Sequence, residues 1–145
     1  MDRQLSTARL LLTIPAAFLA VGPAIADLNA SHVLNPLWSP HARLHTVWLI
    51  STNSLISLIA LGLLWRPGQS AEKNSFLLAA ALVGAVLLGF FIAGLTQPLY
   101  GGAFTDENGV ELRVGPLDAN LFGFSVLFLL VAVAAVRVRQ APRSR

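Results

Sequence analysis

Hydrophobic positions gather in four long blocks, Leu10–Ala26, Val47–Trp65, Phe76–Leu95 and Ala119–Val136, and no Asp, Glu, Lys or Arg falls inside any of them. Crossing a bilayer core takes about 20 apolar residues, with a range of about 17–25, so all four blocks qualify, the first barely. Lipid offers no partner to a bare N–H or C=O, so runs of this kind must be helices. The pattern predicts an all-α membrane protein. It is a single domain over 1–145 with transmembrane helices at about 8–26, 40–65, 75–96 and 118–137.

Local signals sharpen the boundaries. Ser39 followed by Pro40 reads as an N-cap with proline at the first helical position, so the second helix starts before its apolar block. It ends at the Arg-Pro-Gly of 66–68. At about 1.5 Å per residue its 26 residues from Pro40 to Trp65 measure about 39 Å. Its first two turns, with His41, Arg43 and His45, therefore stand at the membrane interface. Trp38, Trp48 and Trp65 fall near the two faces as an aromatic belt would. Proline bends the first helix at Pro15 and again near Gly22-Pro23. Ala81, Ala85, Gly89 and Ala93, at i, i+4 spacing, form a small-residue face that would let another helix approach closely, which supports a packed bundle and little more. In the connector 97–117, Asn108-Gly109 predicts a tight hairpin pairing Ala103–Glu107 with Val110–Val114.

Composition agrees: 55% of residues are hydrophobic and only 12% charged, far from a soluble average. The chain has no cysteine, which excludes thiol-attached haem and cysteine-held iron–sulfur clusters. The net charge of +3 does not point to nucleic acid, because the basic residues sort by position. Arg3, Arg9, Arg66, Lys73, Arg137, Arg139, Arg143 and Arg145 flank one predicted side, and only Arg43 and Arg113 the other. That is the positive-inside pattern. It predicts cytoplasmic N- and C-termini, extracytoplasmic connectors 27–39 and 97–117, and a basic tail that meets anionic lipid. An alternative for the N-terminus is a signal peptide, with Ala24-Ile25-Ala26 as its cleavage motif.

All three histidines lie in "HVLNPLWSPHARLH", residues 32–45. His41 and His45 share one helix face, with Cβ atoms about 5–6 Å apart, a spacing at which two imidazoles can hold one metal ion. The positive end of the helix dipole works against a charged ring, and neutral imidazole is the ligand form. With His32 folding back and Asp27 joining from the first helix, the set suits one transition metal, Zn, Fe or Cu. The alternatives are solvated interfacial histidines or acid–base use without metal. Arg43 suits an ion pair with Asp27 or Asp118, or an anionic head group. Asn35-Pro36 starts a turn, Asn29 turns the chain out of the first helix, and Asn53 lies at hydrocarbon depth, where an amide needs a partner or a cavity. Asn35, Trp38, Asn53, Gln97, Tyr100, Asp118 and Asn120 join Asp27, Arg43 and the histidines in a polar ring at one end of the bundle. Nothing in the chain matches a nucleotide loop or a hydrolase elbow.

The stretch 32–45 resembles an H-x-x-N-P-x-W-x-P-H-A-R-x-H pattern of small, uncharacterised four-helix membrane proteins. His32, Asn35, Pro36, Trp38, Pro40, His41, Ala42, Arg43 and His45 occupy its positions. That resemblance implies a shared site and no reaction. The general plan is also similar to the DoxX-like membrane proteins, which implies an association with quinone or respiratory oxidoreductases. Three functions follow as expectations. One is a membrane protein whose histidine-rich site binds metal and acts on or binds a lipid- or quinone-like molecule. The second is a non-catalytic subunit or assembly factor of a larger membrane complex. The third is a lipid carrier with a lateral pocket. Expected partners are membrane lipid and a larger complex or homo-oligomer, and no nucleic acid.

Overall fold

The computed structural model describes residues 3–66, 73–104 and 112–142. Among them four helices are long and apolar enough to cross a membrane, which fits an integral membrane protein. They are α1 (Arg3–Asp27), α2 (Pro40–Trp65), α3 (Lys73–Thr96) and α4 (Ala119–Gln140). A single 3₁₀ turn, Gln97–Leu99, follows α3, and two short strands, β1 (Arg113–Val114) and β2 (Leu117–Asp118), lead into α4.

The α2 start is where Ser39 and Pro40 put it: the Ser39 hydroxyl accepts from the Ala42 N–H at 3.2 Å. α1 begins earlier than its apolar block, at Arg3, because its polar first turns have partners. Gln4 Oε1 accepts from Arg137 Nη1 at 3.1 Å. The Arg9 guanidinium lies 5.1 Å over the Trp65 ring and 5.6 Å over Phe76, so its stem stays in the apolar belt while the charge meets aromatic faces. α1 runs as one helix through Pro15 and Pro23, and Ala24-Ile25-Ala26 sits in its last turn.

The helices form a closed ring, each against the next and α4 back against α1. Trp65 Nε1 donates to Thr13 Oγ1 at 2.9 Å, and Lys73 Nζ donates to the Ala141 carbonyl. These contacts gather the start of α1, the end of α2, the start of α3 and the end of α4 at one end, here the termini end. The connector 28–39 and the described parts of the second connector, 97–104 and 112–118, occupy the opposite, connector end. Packing differs sharply between the two. The core is built by Leu5, Ala8, Leu12, Ala16 and Leu19 of α1, Ala60 and Leu64 of α2, Phe76, Ala79, Ala80, Val83 and Leu87 of α3, and Leu127, Val131, Ala134 and Val138 of α4. All of these lie toward the termini end or mid-bundle. In the connector half of α2 the buried residue is Ile50.

One sequence expectation changes. The small-residue face Ala81, Ala85, Gly89, Ala93 does not receive a helix: all four are exposed, and α3 packs through Phe76, Ala79, Ala80, Val83 and Leu87 instead. With no side chains to fill it, the stripe opens space rather than closing it. A small two-stranded sheet does lie between α3 and α4. β1 pairs antiparallel with β2, Arg113 opposite Asp118 and Val114 opposite Leu117. The loop is Gly115-Pro116, with Gly115 at φ 62, the positive φ a type II′ turn requires at its first central position. The Asn108-Gly109 turn expected to join 103–107 to 110–114, and half of those ten strand residues, lie outside the described residues.

Candidate functional site

The first connector is held by its own asparagines. Asn29 Nδ2 donates to the Ala26 carbonyl at 2.6 Å and its Oδ1 accepts from the Ser31 N–H and hydroxyl, which ends α1 and turns the chain. Asn35 Oδ1 accepts from the Leu37 N–H at 2.9 Å, and the Trp38 N–H closes a turn onto the Asn35 carbonyl across Pro36. Arg43 Nη2 donates to that same carbonyl at 2.8 Å. Arg43 and Asn35 therefore clamp the connector to α2. The expected ion pair of Arg43 with Asp27 or Asp118 is absent among the described residues. The reason is positional: the folded-back connector reaches the guanidinium first.

The four residues grouped as metal ligands separate into two pairs. His32 Nε2 stands 4.0 Å from Asp27 Oδ1, both partly buried, and His32 Nδ1 is 2.8 Å from the Ser31 hydroxyl. The Trp38 ring meets His32 edge-on, with centroids 5.8 Å apart. On α2, His41 Nε2 and His45 Nε2 approach to 3.0 Å, with both residues exposed. Among the described residues no group of three or more His, Asp or Glu is arranged to hold a metal ion.

Below the connector the four helices line an open cavity of about 620 Å³. Leu19, Pro23 and Asp27 of α1, Leu49, Asn53 and Ile56 of α2, Ala85, Val86, Gly89, Phe90 and Ala93 of α3, and Phe124 of α4 line it. Its wall is apolar apart from the Asp27 carboxyl and the Asn53 amide. Phe90 and Phe124 stack at 4.0 Å between centroids, with Phe18 edge-on to Phe124 and Phe104 beside Phe90. Cavities of about 300–1,000 Å³ with a few polar groups in an apolar lining are typical of small-molecule sites.

The remaining ring residues have structural duties. Asp118 caps α4, its Oδ1 accepting from the N–H groups of Asn120 and Leu121 at 2.8 and 3.1 Å. The Tyr100 hydroxyl donates to the Ala93 carbonyl at 2.7 Å, folding the second connector back onto α3. Gln97 opens the 3₁₀ turn, and its carbonyl accepts from Tyr100 and Gly102. Asn120 is exposed on the first turn of α4.

Sequence reasoning named Asp27 and Asn53 but missed Pro23, Gly89, Phe90 and Phe124, which shape the cavity. Helices apolar on every side hide which face is open. The one usable signal was the row Ala85, Gly89, Ala93, read there as a contact face.

No curated protein and no solved structure matches the chain. A family model described as Family of unknown function (DUF6640) matches residues 11–137. That stretch carries α2 and α3 whole, α1 from Leu11, α4 to Arg137, the first connector and every cavity-lining residue, and the chain belongs to this uncharacterised family.

Proposed function

We propose that the protein is an integral membrane protein that binds a hydrophobic, lipid- or quinone-like molecule between its helices. Both termini face the cytoplasm and the two connectors, the first bearing His32, the opposite side, in keeping with the eight-to-two division of basic residues. The cavity of about 620 Å³ carries the proposal. The apolar body of the ligand lies along Leu49, Ile56, Phe90 and Phe124, and its polar head meets Asp27 and Asn53. His32, beside Asp27, makes that end of the cavity an imidazole–carboxylate pair. An enzyme acting on the bound molecule would use such a pair for proton transfer. The likeness of plan to DoxX-like proteins adds quinones to the candidate ligands and does not fix a reaction.

The test is a comparison of bound small molecules. Gly89 lines the cavity, and a Cβ added there meets nothing within 4 Å, so Gly89→Leu starts from open space and narrows the cavity. Parent and variant are purified in detergent, extracted with organic solvent and compared by mass spectrometry. The parent should retain one amphiphile near stoichiometry, enriched over bulk lipid, and the variant at least tenfold less. Identical bulk-lipid profiles in both would reject the proposal.

A second reading, a non-catalytic subunit or assembly factor, draws on apolar side chains outside the long helices. Leu37 is 86% exposed and Leu99 85%. Co-purification of a stoichiometric partner that is lost with Leu37→Ser/Leu99→Ser would favour it.

A further inference from the structure

We propose that His41 and His45 alone form a site for one divalent transition-metal ion, open to solvent and separate from the Asp27–His32 pair. The position rests on the α2 start. Ser39 and Pro40 fix where the helix begins, so residues 41 and 45 fall one turn apart on one face. The ring centroids lie 4.5 Å apart with planes at 79°, and the two atoms brought together are the far nitrogens, Nε2 and Nε2, at 3.0 Å. For metal–nitrogen bonds of about 2.0–2.1 Å, that separation subtends roughly 90–100° at the ion, suited to two neighbouring ligands.

The surroundings leave both rings available to an ion. Arg43 stands between the two histidines in sequence, yet its guanidinium is engaged with the Asn35 carbonyl. The His45 ring lies against Trp48, 5.8 Å between centroids, which limits its rotation. His41 and His45 are both exposed, so the remaining coordination positions belong to water or an exchangeable ligand. Open positions of this kind mark exchangeable and catalytic metals, whereas structural sites are closed by four protein ligands. Two imidazoles select copper, nickel or zinc over magnesium or calcium, with Cu²⁺ bound more tightly than Zn²⁺. The same 3.0 Å approach would arise if the rings shared a single proton, so the experiment must separate a metal from a hydrogen bond.

Full-length protein, purified without a histidine tag or chelator, is titrated separately with Cu²⁺, Zn²⁺ and Mg²⁺. Binding is followed by calorimetry, and the copper adduct by electron paramagnetic resonance. The expected result is one Cu²⁺ per chain with nitrogen couplings from two imidazoles, weaker Zn²⁺ and no Mg²⁺. His41→Ala and His45→Ala should each weaken Cu²⁺ at least tenfold, with His32→Ala unchanged. Each substitution is at a position the core does not use, and circular dichroism checks that the fold is kept. Parent-like Cu²⁺ affinity in His41→Ala and His45→Ala would overturn the proposal. So would an equal loss in His32→Ala, which would place the third histidine in the site. Neither outcome bears on the cavity, whose test reads a different ligand at a different residue.

Discussion

The two ends of this bundle are made from the same kind of residue and packed to different purposes. At the termini end, Ala8, Leu12, Ala16, Val83, Ala134 and Val138 have no exposed surface, and large and small side chains alternate so that the helices meet. At the connector end, the same alphabet of Ala, Gly, Leu and Phe surrounds a cavity of about 620 Å³. The difference is one of arrangement. Alanines opposite leucines close a helix pair; alanines and a glycine facing Pro23, Asn53 and Phe124 leave room. The closed half is a platform, and the open half has the shape of a binding site.

The largest expected effect tests that division directly. Leu12 is fully buried, whereas Leu49 is 61% exposed at the edge of the cavity. Leu12→Ala should destabilise the detergent-solubilised protein by about 1–3 kcal/mol. That is below the 2–5 usual in water-soluble cores, because lipid and detergent remove most of the transfer component and leave the lost packing. Leu49→Ala should cost under about 0.5 kcal/mol, as expected for an exposed site. Thermal or denaturant unfolding of the two variants side by side checks this. Equal losses would mean that the open half is packed as tightly as the closed one.

A smaller effect separates capping from ligand binding at the connector end. Asp118 belongs to the polar ring outlined by the sequence, and its carboxylate accepts two N–H bonds at the start of α4. Asp118→Ala should cost about 1 kcal/mol, the usual worth of an N-cap, and leave ligand retention unchanged. Asp27→Ala should do the reverse, keeping most of the stability and losing ligand. Differential scanning fluorimetry read beside the extracted-ligand assay distinguishes them.

What was legible in the sequence follows from the same physics. Helix number and approximate length could be read because a charged side chain in lipid is costly, so its absence marks the spans. The α2 start could be read because Ser39-Pro40 is a local signal needing no tertiary knowledge. The exit from α1 at Asn29 and the turn at Asn35-Pro36 were local in the same way. The cavity was not legible. Its existence depends on how far apart two helices stand, and Ala85, Gly89 and Ala93 are equally compatible with contact and with a gap. Nor was the division of the histidines. His32 was expected to reach His41 and His45, but Asn29 and Asn35 fold the connector so that His32 faces Asp27 and Trp38. The Asp118 cap was a further local signal, a carboxylate just before an apolar block.

The smallest effect is the most selective, because it sets two glycines of α3 against each other. At Gly89 an added Cβ meets nothing within 4 Å; at Gly94 it would lie 2.7 Å from Phe104 Cζ. Both are glycines in a helix, and replacing a helical glycine by alanine gains about 0.5–1 kcal/mol from backbone entropy where space permits. Gly89→Ala should therefore stabilise the protein by about that amount. Gly94→Ala should lose the gain, because the new methyl pushes out the Phe104 ring and with it the connector that Tyr100 ties to Ala93. Hydrogen exchange should then quicken around 97–104 in Gly94→Ala and stay unchanged in Gly89→Ala. If both variants were stabilised alike, Phe104 would not be seated on α3 and that end of the cavity would lack its aromatic cover. If neither were, the space beside Gly89 would already be filled, and the comparison between an open and a closed half would fail at the position where it is sharpest.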